Sequence, residues 1–310
     1  MDIGSIPLAG IALAVCSALA LSIGNLWQGH GVRLMEQRVA RGMDDAKIIQ
    51  LIRNRFWLGG SLVLLLSILL QMGSLSFAPL MVVQPIGVTA LVFTVLLTSL
   101  IAKRKPAAAV VRSILICVLG VAVFVTVAAL VSTQHAITDV QLIAVLIVLG
   151  SVLLITGTLL VLGRRRRVPA LAWVILGGTY SAFVATLGKT VIMRVQSLLR
   201  KKSFAFDLTD LLTLMCIVGI GVAGALSIYF VQRAHAENRP EVVVAGLTVI
   251  DPAVAVVLGI TILGEASGAP IWAVIVFILA GAVAIGGVFS LAKAEDAPAP
   301  AVPDAADAGQ

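Results

Sequence analysis

Charged residues are scarce in this 310-residue sequence, at 12% of the chain, and aromatic residues make up only 5%. A soluble domain carries roughly 25% charged and about 45–50% apolar residues, whereas 60% of this chain is hydrophobic. The shortage of charge excludes an ordinary soluble globular domain. Long apolar runs in its place predict an all-α, polytopic membrane protein, because a lipid-exposed backbone must satisfy its own hydrogen bonds.

Cysteine is also rare, and neither nucleotide nor nucleic-acid motifs are present. Cys16, Cys117 and Cys216 lie inside apolar runs without CxxC spacing, which indicates small buried side chains and neither a disulfide framework nor a zinc site. There is no GxxxxGK[ST] segment, and we expect no cofactor. The net charge of +7 comes from short basic clusters between apolar runs, which argues against a nucleic-acid partner.

Nine apolar runs are long enough to cross a bilayer, for which a helix needs roughly 17–25 residues. We therefore expect about nine transmembrane helices. The runs lie near residues 6–31, 56–76, 78–101, 107–132, 139–162, 169–193, 210–232, 241–263 and 270–292.

Lysine and arginine predict the orientation of these spans. With the N-terminus outside, seventeen of the 22 basic residues fall on the inner side and four on the outer side, while Lys189 lies within the sixth span. We therefore expect a multi-pass protein of the cell (plasma) membrane with a cytoplasmic C-terminus. Residues 36–55 resemble an amphipathic helix on the inner surface, and residues 294–310 a disordered cytoplasmic tail.

Two segments of the chain repeat a pattern. Gln84–Pro85 opens the apolar stretch 82–100, and Asp251–Pro252 holds the same place in 248–266, with the two stretches predicted to run in opposite directions. This is typical of inverted-repeat transporters, whose sites lie near the midplane between repeats. We expect a first repeat at 1–137, a connecting helix and basic loop at 138–168, and a second repeat at 169–293.

Asp251 is the strongest candidate for a binding residue, because ionisable groups within spans are rare and usually face an interior cavity. Pro252 beside it would free a backbone carbonyl. Lys189 has two interpretations: its side chain reaches the outer headgroups, or it pairs with Asp251. Neutral polar residues that line a cavity, or alternatively bond a neighbouring helix, are Gln71, Gln84, Thr89 and Tyr180, and Asn25 is either a further site residue or an ordinary turn residue at the end of the first helix.

Three segments resemble the drug/metabolite transporter (EamA-like) superfamily, and within it the NIPA-type magnesium transporters. These are the small-residue first helix 10–32, the stretch 56–106 with "FAP" and "VQPIGVTALVF", and the Pro252 helix ending in Gly264–Glu265. The resemblance implies nine spans in an inverted-repeat bundle that carries a substrate. Where magnesium-type members have Glu and Asn, this chain has Ile68 and Gln71, which leaves Asp251 and Glu265 as acidic ligands for a divalent cation.

These observations favour a secondary transporter that works by alternating access and moves a divalent cation such as Mg²⁺ or a small metabolite. The alternatives are an exporter or flippase of an organic metabolite, drug or lipid-like envelope precursor, and a membrane scaffold that transports nothing. An enzyme is not expected, because Asp251 is the one acid found mid-span and no activated nucleophile accompanies it. Membrane lipids and the substrate are the expected partners, and a homodimer is left open.

Overall fold

The computed structural model describes residues 7–40, 54–103, 105–134, 137–163, 168–201, 208–238 and 240–295. Within these ranges every regular element is an α-helix. The helices are α1 (Leu8–Ala40), α2 (Arg55–Phe77), α3 (Leu80–Gly87), α4 (Thr89–Ile101), α5 (Ala108–Val131), α6 (Asp139–Gly163), α7 (Ala170–Lys201), α8 (Leu208–Glu237), α9 (Pro240–Thr261) and α10 (Ile271–Glu295).

The described part of the chain contains nine segments long and apolar enough to span a membrane, with α3 and α4 together forming the third. This confirms the prediction of an all-α, polytopic membrane protein. The α-helical hydrogen-bond pattern of the third span is interrupted at Val88, where the amide donates to the Pro85 carbonyl at 3.2 Å, although Val88 keeps helical backbone angles. In contrast, α9 continues through Pro252 without a break, so the two prolines that were predicted as matched interruptions differ in effect.

The observed ends of several elements differ from the predicted ends. α1 continues to Ala40, into the segment predicted as an amphipathic surface helix, and the rest of that segment up to residue 53 lies outside the described residues. The predicted tail lies outside them from residue 296 onward. Asn54 starts α2, where its Oδ1 accepts from the Phe56 amide at 2.9 Å and its Nδ2 donates to the Gly31 carbonyl at 3.0 Å.

Helix packing follows one pattern on both sides of α6. α1 packs on α2 as α7 packs on α8, and the third span packs on α1 as α9 packs on α7. The third span also contacts α9, and α5 contacts α10, so elements at equivalent places in the two halves meet each other. The pattern relates the four spans before α6 to the four spans after it.

Small residues bring α5 and α10 into backbone contact. A Cβ added to Gly287 would lie 2.5 Å from the Cys117 amide nitrogen, and one added to Gly120 would lie 2.5 Å from the Ala284 amide nitrogen. Because lipid tails are as apolar as the helix surfaces, such close packing is what holds membrane helices together.

Replacing Gly287 with alanine is therefore expected to separate α5 from α10 and to lower the free energy of unfolding by about 1–3 kcal/mol, a typical cost of overpacking. Gly286→Ala is the matched control, because a Cβ at Gly286 meets nothing within 4 Å. Both changes carry the same gain in helix propensity. Unfolding of the purified protein in mixed micelles measures the difference, and equal stabilities would contradict the packing described.

Candidate functional site

A cavity of about 630 Å³ lies between α1, α2, the third span, α7 and α9, and we call it the central cavity. Its volume falls within the range of roughly 300–1,000 Å³ that is typical of small-molecule sites. Asp251 is the one charged side chain among the described residues that line it. Its other polar lining residues are Ser17, Asn25, Ser67, Gln71, Gln84, Thr94, Ser181 and Thr248.

The Asp251 carboxylate is only half satisfied. Ser181 Oγ donates to its Oδ2 at 2.6 Å, whereas its Oδ1 is buried and has no hydrogen-bond partner. The close approach of α7 and α9 makes the Ser181 contact, since a Cβ on Gly178 would lie 3.3 Å from the Asp251 amide nitrogen. A buried, unpartnered carboxylate oxygen is costly. It is suited to a ligand that brings a hydrogen-bond donor or a positive charge.

The structure brings four more of the predicted residues to this carboxylate's cavity: Asn25, Gln71, Gln84 and Pro252 all line it. They come from α1, α2, α3 and α9, so residues singled out from the sequence line one cavity that five spans build. Ser181 was missed. Its signal in the sequence is a hydroxyl in the same polar stretch of the sixth span as Tyr180.

Tyr180 and Thr89 do not line the cavity, which corrects the expectation for both. The Tyr180 hydroxyl donates to Thr156 Oγ1 at 2.9 Å, and its ring stacks on Phe230. A turn of about 100° per residue along α7 places Ser181 at the cavity and Tyr180 against the neighbouring helices. Thr89 Oγ1 instead donates to the Ile86 carbonyl at 2.6 Å, within its own span.

Lys189 forms a buried ion pair with Glu265. The distance between Lys189 Nζ and Glu265 Oε1 is 2.5 Å, with side-chain exposures of 2% and 3%. Lys189 Nζ also donates to the Ala78 carbonyl at 3.2 Å. Lys189 therefore neither reaches the headgroups nor pairs with Asp251, because its ammonium group is paired with Glu265 in the loop after α9. Sequence spacing alone does not reveal this pairing, which joins residues 76 positions apart.

The same carboxylate binds the start of α3. The Leu80 amide donates to Glu265 Oε1 at 2.7 Å and the Met81 amide donates to Oε2 at 2.8 Å, where the helix dipole favours negative charge. Gly264, with φ +69°, makes the turn that positions Glu265. We call Lys189, Glu265 and the amides of Leu80 and Met81 the Glu265 contact.

The predicted metal-binding pair is not assembled. Asp251 lines the central cavity, whereas both Glu265 oxygens are engaged in the Glu265 contact and Glu265 does not line the cavity. Within the described ranges, three or more His, Cys, Asp or Glu side chains do not come together where they could hold a metal ion. A divalent cation in the cavity would meet one carboxylate, with neutral amides and hydroxyls around it.

The two ends of the bundle differ. At the end where α2 stops and α10 starts, the closed end, the Glu265 contact is reinforced by the Thr133 amide, which donates to the Glu265 carbonyl at 2.8 Å, and by Gln141 Nε2, which donates to the Leu263 carbonyl at 3.0 Å. At the opposite end, the open end, where α4 stops and α9 starts, the lining residues Asn25 and Val244 are exposed. Exposed lining residues thus lie at the open end, although Ile68, midway along α2, also lines the cavity and is exposed.

A second, apolar space of about 420 Å³ lies between α3, α5, α9 and α10, and we call it the lateral groove. Val88, Thr248 and Pro252 line both the groove and the central cavity. Val257 and Ile278, also in its lining, are 57% and 66% exposed. The groove thus opens on the apolar outer surface of the bundle. Pro85, a predicted site residue, lines this groove and not the central cavity.

The central cavity and lateral groove together present one carboxylate, neutral hydrogen-bonding groups and an apolar wall. Such a set can hold a ligand by charge, by hydrogen bonds and by shape. No protein-family model matches the chain, and neither a curated protein nor a solved structure matches it significantly.

Proposed function

We propose that this protein is a secondary membrane transporter that carries a positively charged substrate, either a small organic molecule or a hydrated divalent cation, through the central cavity. One observation carries the proposal: Asp251, whose carboxylate is only half satisfied, lines a cavity of ligand size in a bundle with nine spans among its described residues. A buried charge that is not fully paired destabilises the protein. A cationic ligand would pair with this carboxylate, which supports a binding role for Asp251.

The recurring helix packing supports alternating access. Four spans on each side of α6 pack in the same pattern. An odd offset of five spans would give equivalent segments opposite directions across the membrane, as in inverted-repeat carriers. Membership of the drug/metabolite transporter superfamily, with the NIPA-type members as the nearest resemblance, is part of this proposal and rests on the sequence segments quoted above.

The unequal ends supply a mechanism. Substrate enters from the open end and occupies the Asp251 site, and breaking the Glu265 contact then exposes the cavity at the closed end. The contact holds the start of α3 against α7 and the loop after α9, so it opens when these elements move apart. A ligand drives that change only if it binds the second arrangement more tightly than the first.

The distribution of basic residues supports an orientation for this cycle. With the N-terminus outside and the C-terminus in the cytoplasm, the open end faces the cytoplasm and the closed end faces outward. The structure would then correspond to an inward-open state of a plasma-membrane carrier.

The lining residues favour a cation that keeps water or brings its own hydrogen-bond donors. Mg²⁺ retains several waters and is usually held by one or two carboxylates, so a hydrated ion fits beside Asp251. An organic amine fits equally well, since its N–H groups match Asp251 Oδ1 and the amide oxygens of Gln71 and Gln84. The two substrate classes are separated by experiment.

Flux into liposomes that contain the purified protein tests the proposal, with Mg²⁺ followed by an enclosed dye and methylammonium followed by radiolabel. We expect one of the two to show protein-dependent flux that Asp251→Asn lowers by about 10- to 100-fold, because hydrogen bonds to a charged group are worth about 1.5–3 kcal/mol. Glu237→Gln is the matched control. Its Oε2 accepts from Trp173 Nε1 at 2.8 Å, outside the cavity lining.

Flux of either probe that ignores Asp251→Asn would remove this carboxylate from the transport site. Absence of protein-dependent flux for both probes and for a wider panel of metabolites would instead favour the scaffold alternative.

A further inference from the structure

The wall of the lateral groove is apolar. Thr248 is the one polar residue among the described residues that line it, and its Oγ1 already donates to the Val244 carbonyl at 2.7 Å. The described lining of the groove therefore offers no free hydrogen-bonding side chain to a ligand. Its volume of about 420 Å³ is within the range of small-molecule sites, and its apolar lining suits an alkyl chain.

The groove continues the central cavity. Pro252 lines both spaces and follows Asp251 directly, and Thr248, one helical turn earlier, also lines both. Val88, at the interruption of the third span, is the third shared residue. A molecule whose chain lies in the groove can therefore place its other end at the Asp251 carboxylate by crossing these side chains.

The charge of the cavity lining determines which polar headgroup of a ligand fits there. Asp251 is the sole charged residue in the described lining of the cavity, so neither Lys nor Arg is present there to receive a phosphate. The Oδ1 of Asp251 has no hydrogen-bond partner in the protein, so its capacity to accept one is unused. An amine suits this position, whereas the phosphate of an ordinary phospholipid would meet a like charge.

We infer that the lateral groove and the Asp251 cavity form one two-part site for an amphiphilic amine, with its alkyl chain in the groove and its ammonium group at Asp251. The inference rests on the proposed function and names the class of its substrate. Bilayer lipid is as apolar as the groove, so the chain gains little free energy by leaving the lipid. The ammonium group therefore holds the chain in place by raising its effective concentration at the groove.

Photolabelling of the full chain in phosphatidylcholine liposomes tests this dependence. The probes are dodecylamine and dodecyl phosphate, each with a diazirine at the chain terminus, and mass spectrometry compares labelling of the groove face of α10 with labelling of Leu154 on α6, which is 73% exposed. We expect the amine probe to give a ratio about tenfold above that of the phosphate probe, which corresponds to a modest affinity difference. Asp251→Asn should reduce it to the phosphate value.

Two glycines of α10 provide a matched pair. Gly281 lines the groove, Gly286 does not, and a Cβ at either meets nothing within 4 Å. Gly281→Leu should fill the groove and remove the excess labelling, whereas Gly286→Leu should leave it unchanged. Both variants should fold, since the Cβ atom of neither leucine would contact a neighbouring residue.

Equal labelling by the two probes, or excess labelling that survives Gly281→Leu, would overturn the inference and identify the groove as a seat for bilayer lipid. The proposed function has a separate readout in the Asp251-dependent flux of methylammonium or Mg²⁺, neither of which has a chain. If that flux persists in Gly281→Leu while the labelling prediction fails, only the two-part site is lost.

Discussion

Replacing Lys189 with alanine is expected to lower the free energy of unfolding by about 3–5 kcal/mol, the usual cost of removing one partner of a buried ion pair. The Glu265 carboxylate would stay buried against the amides of Leu80 and Met81 without a cation. The loss should appear as a lower unfolding midpoint of the purified protein in mixed micelles.

Two variants make this result specific. Lys293→Ala removes an exposed lysine of α10 and should change the stability by no more than about 0.5 kcal/mol. Lys189→Met combined with Glu265→Gln removes both charges at similar volume, and should cost less than Lys189→Ala alone because no buried charge is left unpaired. A Lys189→Ala effect as small as that of Lys293→Ala would show that the pair is not essential to the closed end.

The second large effect concerns access to the cavity. Met72 lines the central cavity near the closed end, five residues before the end of α2. In sealed vesicles, a membrane-impermeant thiol reagent should label Met72→Cys from the open-end face only. Adding Glu265→Gln should allow labelling from the closed-end face as well, with a rate increase of at least about tenfold, because the contact loses its charge-assisted hydrogen bonds and the equilibrium shifts towards opening.

The background for this experiment carries Cys16→Ser, since Cys16 is exposed whereas Cys117 and Cys216 are buried. Thr94→Cys, nearer the open end of the cavity, should be labelled from the open-end face in every variant. Glu237→Gln, at the other end of the bundle from Glu265, should leave the labelling of Met72→Cys unchanged. Labelling of Met72→Cys from both faces without Glu265→Gln would contradict a closed end sealed by this contact.

The two predictions separate a structural brace from a gate. A brace would lose stability in Lys189→Ala but would show no change of access in Glu265→Gln. A gate shows both, because the same contact that stabilises one arrangement must break for the other to form. The Glu265 contact is suited to a gate, since it joins α7, the start of α3 and the loop after α9 through few bonds.

The spans were predictable because membrane insertion depends on the hydropathy of each segment, which is a local property of the sequence. Each of the nine runs is apolar over about 20 residues, whatever it packs against, and the structure has nine such helices within its described ranges. The central cavity was partly predictable for a related reason. A polar or ionisable residue within a span is expensive unless it faces an interior, and Asp251, Gln84, Gln71 and Asn25 all line the cavity.

What could not be predicted depends on rotation and on distant pairing. Tyr180 and Ser181 are neighbours of similar polarity, and only the packing of α7 on α9 decides that Ser181 bonds Asp251. Pro85 and Pro252 look alike in sequence, yet one span is interrupted and the other is continuous. A proline in the sequence therefore does not by itself say whether the helical hydrogen-bond pattern of a span is interrupted.

The amino-acid sequence by itself determined that the chain forms apolar helices, that it repeats a polar–proline pattern, and that Asp251 is an acid within an apolar run. These follow from hydropathy and composition along the chain. The tertiary structure alone decided that Glu265 joins Lys189 to the start of α3, that Asp251 keeps one oxygen free, and that a groove lies beside it. Such features arise where segments far apart in the chain meet at particular angles, and no local property of the chain encodes those angles.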